Sequence, residues 1–214
     1  MSTIFWNTIT EDMRLILMEF SRSRVSKSFY LAGGTALALQ IGHRLSVDLD
    51  FFSPTEDVPT IRPALEKSLS VFPAVLADSS WGNLVFITKN TRVGFYGYGF
   101  PLVAPLFEIE GIQIASVEDI ALMKLDAMLS RAARKDFYDL YFICKKIAIQ
   151  QLFMIAEQKY PSVRDFESQA AKRLVYFDHA EVESEPALIE SVSWQTVKEF
   201  FTQLAKDIEK GWLK

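Results

Sequence analysis

Phe29-Tyr30-Leu31-Ala32-Gly33-Gly34-Thr35-Ala36-Leu37-Ala38-Leu39-Gln40-Ile41 and, a few residues on, Leu45-Ser46-Val47-Asp48-Leu49-Asp50-Phe51-Phe52 are the stretches that decide how this chain folds. The short apolar run Phe29 to Ala32 stops at a glycine pair, and Thr35 opens a series of strong helix formers, so the first stretch reads as strand, Gly-rich turn and helix. The second stretch alternates. Leu45, Val47, Leu49 and Phe51 fall on one side and Ser46, Asp48, Asp50 and Phe52 on the other, the period of a half-buried strand.

Toward the N-terminus, Ile9, Met13, Leu17 and Phe20 recur at helical spacing and predict an amphipathic helix from Trp6 to Phe20. Downstream, a helix is predicted over Thr60 to Leu69, with Pro63 near its first turn. Leu84 to Thr88 and Thr91 to Tyr96 flank Lys89-Asn90 as a β-hairpin, and Leu106 to Ile109 and Gln113 to Ala115 flank Glu110-Gly111 as a second. Ser116 with Asp119 three residues on resembles a capping box, and an uninterrupted helical pattern follows to about Lys146. Beyond it only helices are predicted: Gln150 to Lys159, Asp165 to Tyr176 and Trp194 to Lys210. The fold class is therefore α+β (mixed α/β), an N-terminal sheet with helices over residues 1–115 and a helical C-terminal half over 116–214 packed on it.

Half of the 214 residues are apolar and 28 are aromatic, so the chain can bury a substantial core and is not disordered. The start of the sequence lacks the basic and apolar regions of a secretion signal, and no apolar run approaches a membrane span. The single Cys144 forms no internal disulfide and reads as core filler. These features together predict a cytoplasmic protein without a membrane partner. With a net charge of −4 the protein has no overall attraction for a polyanion, so any nucleic-acid contact falls to a local patch. The candidate is Lys124, Arg131, Arg134, Lys135, Lys145 and Lys146, which as a charge run also reads as a solvated helix face.

The chemistry starts from Asp48 and Asp50. Alternate residues of one strand share a face, and two carboxylates there can converge on one hard cation, Mg²⁺ or Mn²⁺. Ahead of them, the Gly33-Gly34-Thr35 turn opens a helix whose free N–H groups and dipole favour phosphate. Read alone, Thr35 serves equally as an N-cap and the acids as an exposed polar face. Phosphate-binding turn, one helix, then a carboxylate pair is a more specific combination, and describes a cradle for a metal-bound nucleoside triphosphate.

Leu31-Ala32-Gly33-Gly34-Thr35-Ala36-Leu37 through His43-Arg44-Leu45-Ser46-Val47-Asp48-Leu49-Asp50-Phe51-Phe52 resembles the AbiEii/AbiGii toxin family of the nucleotidyltransferase superfamily. So do Lys124 to Arg131, Arg134-Lys135-Asp136-Phe137-Tyr138-Asp139-Leu140-Tyr141, Tyr176 to Glu181 and Trp194 to Phe201. The resemblance implies a metal-dependent transfer of a nucleotide from a triphosphate to an acceptor hydroxyl, on an RNA or tRNA 3′ end or on a protein. It places Asp48 and Asp50 on the metal, and Gly33, Gly34, Thr35, Arg44, Ser46, Lys124 and Arg131 on the nucleotide. Lys124, Met128, Arg131, Lys135 and Asp139 follow steps of three or four along the predicted helix. Asp139 is thereby the favoured acid over Asp136, with Lys124 and Asp139 counted with Asp48 and Asp50 as catalytic. A toxin–antitoxin or phage-defence setting and a cognate antitoxin partner come with the resemblance.

One feature departs from the superfamily, which commonly adds a third carboxylate from a neighbouring strand. In Arg92-Val93-Gly94-Phe95 the corresponding position is Gly94, and Glu108 or Glu110 is the available substitute. This leaves two alternatives to the transferase: a weak or inactive nucleotide- or protein-binding module of the same fold, and a phosphotransferase.

Overall fold

The computed structural model describes residues 3–80 and 82–212. They form two compact units, Met1–Ser116 and Val117–Lys214.

The first unit is built on a seven-stranded mixed sheet. Its strands are β1 (Tyr30–Ala32), β2 (Asp48–Ser53), β3 (Val75–Asp78), β4 (Leu84–Thr88), β5 (Thr91–Gly97), β6 (Phe107–Ile109) and β7 (Ile112–Ile114), in the spatial order β3-β4-β5-β2-β1-β7-β6. Both predicted hairpins form. Lys89 and Asn90 adopt φ of 47° and 60°, and Glu110 and Gly111 φ of 51° and 85°, the left-handed pairs that match strand twist in two-residue turns. The central strand β2 runs antiparallel to β1, with Ala32 opposite Asp50, and parallel to β5, with Asp50 opposite Gly94. On its inner face Leu49 and Phe51 are buried beside Val93 and Phe95. Phe51 stacks on Phe95 at 5.4 Å between ring centroids, and Phe20, Phe29 and Phe86 close around them. Burial of each such ring contributes about 1.5–3 kcal/mol. The outer face carries Asp48, Asp50, Arg92, Gly94 and Tyr96.

Three elements of this sheet-containing unit differ from the sequence reading. The first helix is shorter: Trp6–Thr8 is a 3₁₀ turn, and α1 (Glu11–Ser21) starts after Thr10, whose hydroxyl accepts from the Met13 N–H at 3.2 Å. The helix keeps the expected apolar face, burying Met13, Leu17 and Phe20 together with Ile16, while Ile9 falls outside it. Second, the carboxylate strand begins at Asp48, so Leu45 and Val47 are not on the core face but 45% and 67% exposed. No full strand lies alongside them: β1 ends at Ala32 opposite Asp50, and Arg92 of β5, opposite Asp48, is only the second residue after the hairpin turn. Third, β3 is an additional edge strand, mostly exposed and with a register shift between Leu76 and Asp78, so it lacks the alternation that marks a half-buried strand. Between strands lie α2 (Gly33–Ile41), ended by Gly42, and α3 (Arg62–Ser68).

The second unit is helical among its described residues: α4 (Val117–Ser130), α5 (Arg134–Cys144), α6 (Ile149–Lys159), α7 (Phe166–Arg173), the short α8 (Asp178–Glu181) and α9 (Trp194–Trp212). The uninterrupted pattern to Lys146 is in fact two helices. The Ala127 carbonyl accepts from the N–H of both Arg131 and Ala132, and Ala132 takes φ 46°, which turns the chain back. Phe137 anchors the core against Phe177, Trp194 and Phe201 at 5.1–5.6 Å. No helix among the described residues is long and apolar enough to cross a membrane.

Candidate active site

The short β1 ends at Ala32, and α2 starts at Gly33, with φ 67° and no side-chain cap at Ala32, so its first N–H groups remain available for an anion. A Cβ at Gly34 would lie 2.1 Å from Arg44 Nη2, the end of a long flexible side chain. The guanidinium therefore rests on the glycine turn, with Nη1 donating to the Leu45 carbonyl at 3.0 Å. A positive charge and unsatisfied backbone donors thus share one end of α2.

Thr35 and Ser46 hold the turn to the strand. Thr35 Oγ1 donates to the Asp48 carbonyl and lies 2.7 Å from Ser46 Oγ, while the Ser46 N–H donates to Thr8 at 2.8 Å. Both are buried. Thr35 does not cap the helix, as its sequence position allowed; its hydroxyl is committed to β2, and what it offers a phosphate is its backbone N–H. His43 is buried beside Arg44.

Asp48 and Asp50 project from the outer face of β2, as alternate residues must, and both are half-buried. The turn and the acids approach closely: a Cβ built on Gly33 would lie 3.4 Å from Asp50 Oδ2. Two hard carboxylate oxygen donors fit a divalent cation, and the uncapped helix end beside them fits an anion. Arg92 already places a cation there, its Nη1 3.1 Å from Asp50 Oδ1.

Arg92 and Tyr96 were not singled out by the sequence reading. Period two along β5 puts Arg92, Gly94 and Tyr96 on the face of the carboxylates, and that pattern was the available signal. Arg92 Nη2 donates to Tyr96 Oη at 2.5 Å. Burial, then the charge of Asp50, pushes the Tyr96 phenol up to about 12 against the opposing effect of Arg92. Burial works against the charge on Arg92, but Tyr96, Asp50 and Asp48 outweigh it and raise its pKa. Gly94 is the Cα partner of Asp50, at the position where a third acid was sought. Neither proposed substitute fills it. Glu108 is on β6, separated from β2 by β1 and β7, and accepts from Gln113 at 3.0 Å; Glu110, in the β6–β7 turn, accepts from Arg14 at 3.3 Å. No group of three potential metal-ligating side chains occurs among the described residues.

In the helical unit, the chain reversal at Ala132 rearranges the predicted basic face. Lys124 does not continue one helix with Lys135 and Asp139; its Nζ meets Asp136 at 2.7 Å and Asp139 at 2.6 Å across the turn, with 6% of the side chain exposed. Arg131 pairs with Asp136 through Nε at 3.0 Å and Nη2 at 3.3 Å, and remains 54% exposed. Burial opposes the charge of Asp136, but Lys124 and Arg131 hold its pKa below the ordinary carboxylate value. The charge run is thus no continuous basic patch: Arg134 donates to the Glu183 carbonyl at 2.6 Å and lies over Trp194, and Lys145 pairs with Glu190 at 2.8 Å. Cys144 has its thiol pushed up to about 12 by burial, which removes nucleophilic character at neutral pH.

The sequence matches the family described as the nucleotidyl transferase AbiEii toxin, type IV toxin–antitoxin system, over residues 15–80 and 87–212. An uncharacterized protein of Aquifex aeolicus (strain VF5) is 35% identical over 210 residues, covering 93% of this chain and 97% of the relative. Among solved structures, MenT4, a nucleotidyltransferase toxin of Mycobacterium tuberculosis, matches at a TM-score of 0.59 and 15% identity, over 91% of this chain and 82% of that one. An H. pylori protein described as a candidate nucleotidyltransferase matches at 0.56 and 23% identity, over 93% and 92%. At these identities the likeness establishes the fold, which is that of nucleotidyltransferases.

Proposed function

Because the chain belongs to the AbiEii family of nucleotidyltransferase toxins, we propose that it transfers a nucleotide from a nucleoside triphosphate to an acceptor hydroxyl on an RNA 3′ end, such as that of tRNA, or on a protein. The observation that carries this reading is the approach of the Gly33 turn to Asp50, which brings an anion-binding helix end and a carboxylate pair within the span of one triphosphate. The N–H groups at the start of α2 and the Arg44 guanidinium bind phosphate oxygens. Asp48 and Asp50 hold Mg²⁺ or Mn²⁺, which when bound neutralises phosphate charge and polarises the reacting phosphorus. Thr35 and Ser46 keep turn and carboxylate strand in register.

The acceptor oxygen forms a bond to the α-phosphorus, the bond to the β-phosphate oxygen breaks, pyrophosphate leaves, and the acceptor proton passes to a base. The proposal extends to Lys124, Arg131 and Asp139 as residues on which the reaction depends. Its setting is the cytoplasm, in a toxin–antitoxin or phage-defence system with an antitoxin as partner.

A second reading, a binding module without turnover, is favoured by Gly94 and by the Arg92–Asp50 ion pair. One experiment separates them: protein, Mg²⁺ and each triphosphate, α- or γ-labelled, are incubated with total RNA and lysate protein, beside Asp48→Asn/Asp50→Asn. Carboxylate-dependent α-label on RNA or protein is the expected result. γ-Label would instead identify a phosphotransferase, and nucleotide binding without label would identify the binding module.

A further inference from the structure

Residue 94 and Asp50 face each other across parallel strands, so a side chain at 94 would project beside the Asp50 carboxylate. That space is taken. A Cβ on Gly94 would lie 2.2 Å from Tyr96 Oη and 2.5 Å from both Cε2 and Cζ. Tyr96 is itself held, stacked on Phe52 at 5.1 Å between ring centroids. Its hydroxyl receives Arg92 Nη2 at 2.5 Å, and this directs Nη1 of the same guanidinium onto Asp50 at 3.1 Å. The glycine, the phenol and the arginine form one unit: the ring fills the hollow an acid would need and holds a cation in its place.

We propose that Arg92, positioned by Tyr96, supplies the second positive charge of the Asp48/Asp50 site, so that the site takes a single divalent cation with its triphosphate. The inference rests on the nucleotide-binding reading above and deepens it. Charge balance supports it: three carboxylates with two divalent ions leave one net positive charge, and two carboxylates, one guanidinium and one divalent ion leave the same. Geometry supports it also. The Arg92 side chain is 40% exposed, so its planar fork can transfer from Asp50 to a phosphate oxygen when the metal-bound nucleotide arrives. The missing third acid is, on this reading, an exchange of a metal ligand for a fixed cation.

The test is the Mn²⁺ stoichiometry of the full chain with a non-hydrolysable triphosphate, read by electron paramagnetic resonance and calorimetry. One tightly bound Mn²⁺ per chain is expected. Two would overturn the proposal and leave the nucleotidyl-transfer reading standing, whereas none, with no triphosphate bound, would overturn both. Arg92→Gln is expected to weaken binding of the Mn²⁺–triphosphate complex about tenfold or more, since a charge-assisted contact is lost, with Arg92→Lys recovering part of it. Unchanged affinity in Arg92→Gln would overturn the assignment. Gly94→Asp/Tyr96→Ala, which opens the hollow and fills it with an acid, is expected to bind a second Mn²⁺ where it folds; the Arg92 variants, which lie on a half-exposed position, carry the test independently of that fold.

Discussion

Lys159 Nζ donates to Asp119 Oδ1 at 2.8 Å, and both side chains are wholly removed from solvent. Asp119 lies three positions after Ser116, the spacing of a capping box, and its carboxylate accepts from a lysine forty residues away. Removing one member of such a pair strands the other charge in the core. Asp119→Asn or Lys159→Met is expected to lower stability by about 3–5 kcal/mol. Asp119→Asn/Lys159→Met is expected to lose less than the sum of the single changes. Urea denaturation of the three variants measures the coupling, and additive losses would show that the two charges do not depend on each other.

Asp136 makes stability depend on pH. Its folded pKa is lowered, against the effect of burial, by Lys124 and Arg131, so the unfolded chain takes up the proton first as the solution is acidified. The stabilisation is therefore fully present above the unfolded carboxylate value of about 3.9 and is lost as pH falls from there through the folded value. In melting temperatures recorded from pH 6 to pH 3, Asp136→Asn is expected to start lower and to show a shallower acid decline than the parent protein.

Gly34 carries Arg44 on its open face. Gly34→Ala places a methyl 2.1 Å from the present position of Arg44 Nη2, and the guanidinium, at the end of a flexible chain, must leave the turn. The expected outcome is a fall in triphosphate affinity of about tenfold or more, from the loss of a charge-assisted contact. Stability should change by little more than about 1 kcal/mol, a shift in Tm of about 2–4 °C for a chain of this size. Calorimetry of nucleotide binding beside a thermal melt separates the two effects; affinity unchanged after the substitution would remove Arg44 from the phosphate site.

Local chemistry made much of the framework readable in advance. The left-handed pairs Lys89-Asn90 and Glu110-Gly111 are turn signals that need no knowledge of the rest of the chain. Likewise, the strand, glycine turn and helix from Tyr30 to Ile41 follow from residue preference over a dozen positions. In two places where the reading went astray, an interaction distant in sequence decided the matter. Leu45 and Val47 alternate correctly for a strand but have no strand partner, and Val75–Asp78 becomes a strand because β4 offers it an edge.

The sequence by itself determined that Asp48 and Asp50 share one face, because successive side chains of a strand alternate and nothing tertiary can alter that parity. Which cations stand near which acids was decided only by the tertiary structure. Arg92 meets Asp50 because β5 lies parallel to β2 in a register that sets Arg92 opposite Asp48. Lys124 meets Asp136 and Asp139 because the chain reverses at Ala132, a residue with no turn preference of its own. Coulomb energy depends on distance through space, and spacing along the chain reports that distance only within a helical turn or a strand pair, so the charge network became legible when register and reversal were known.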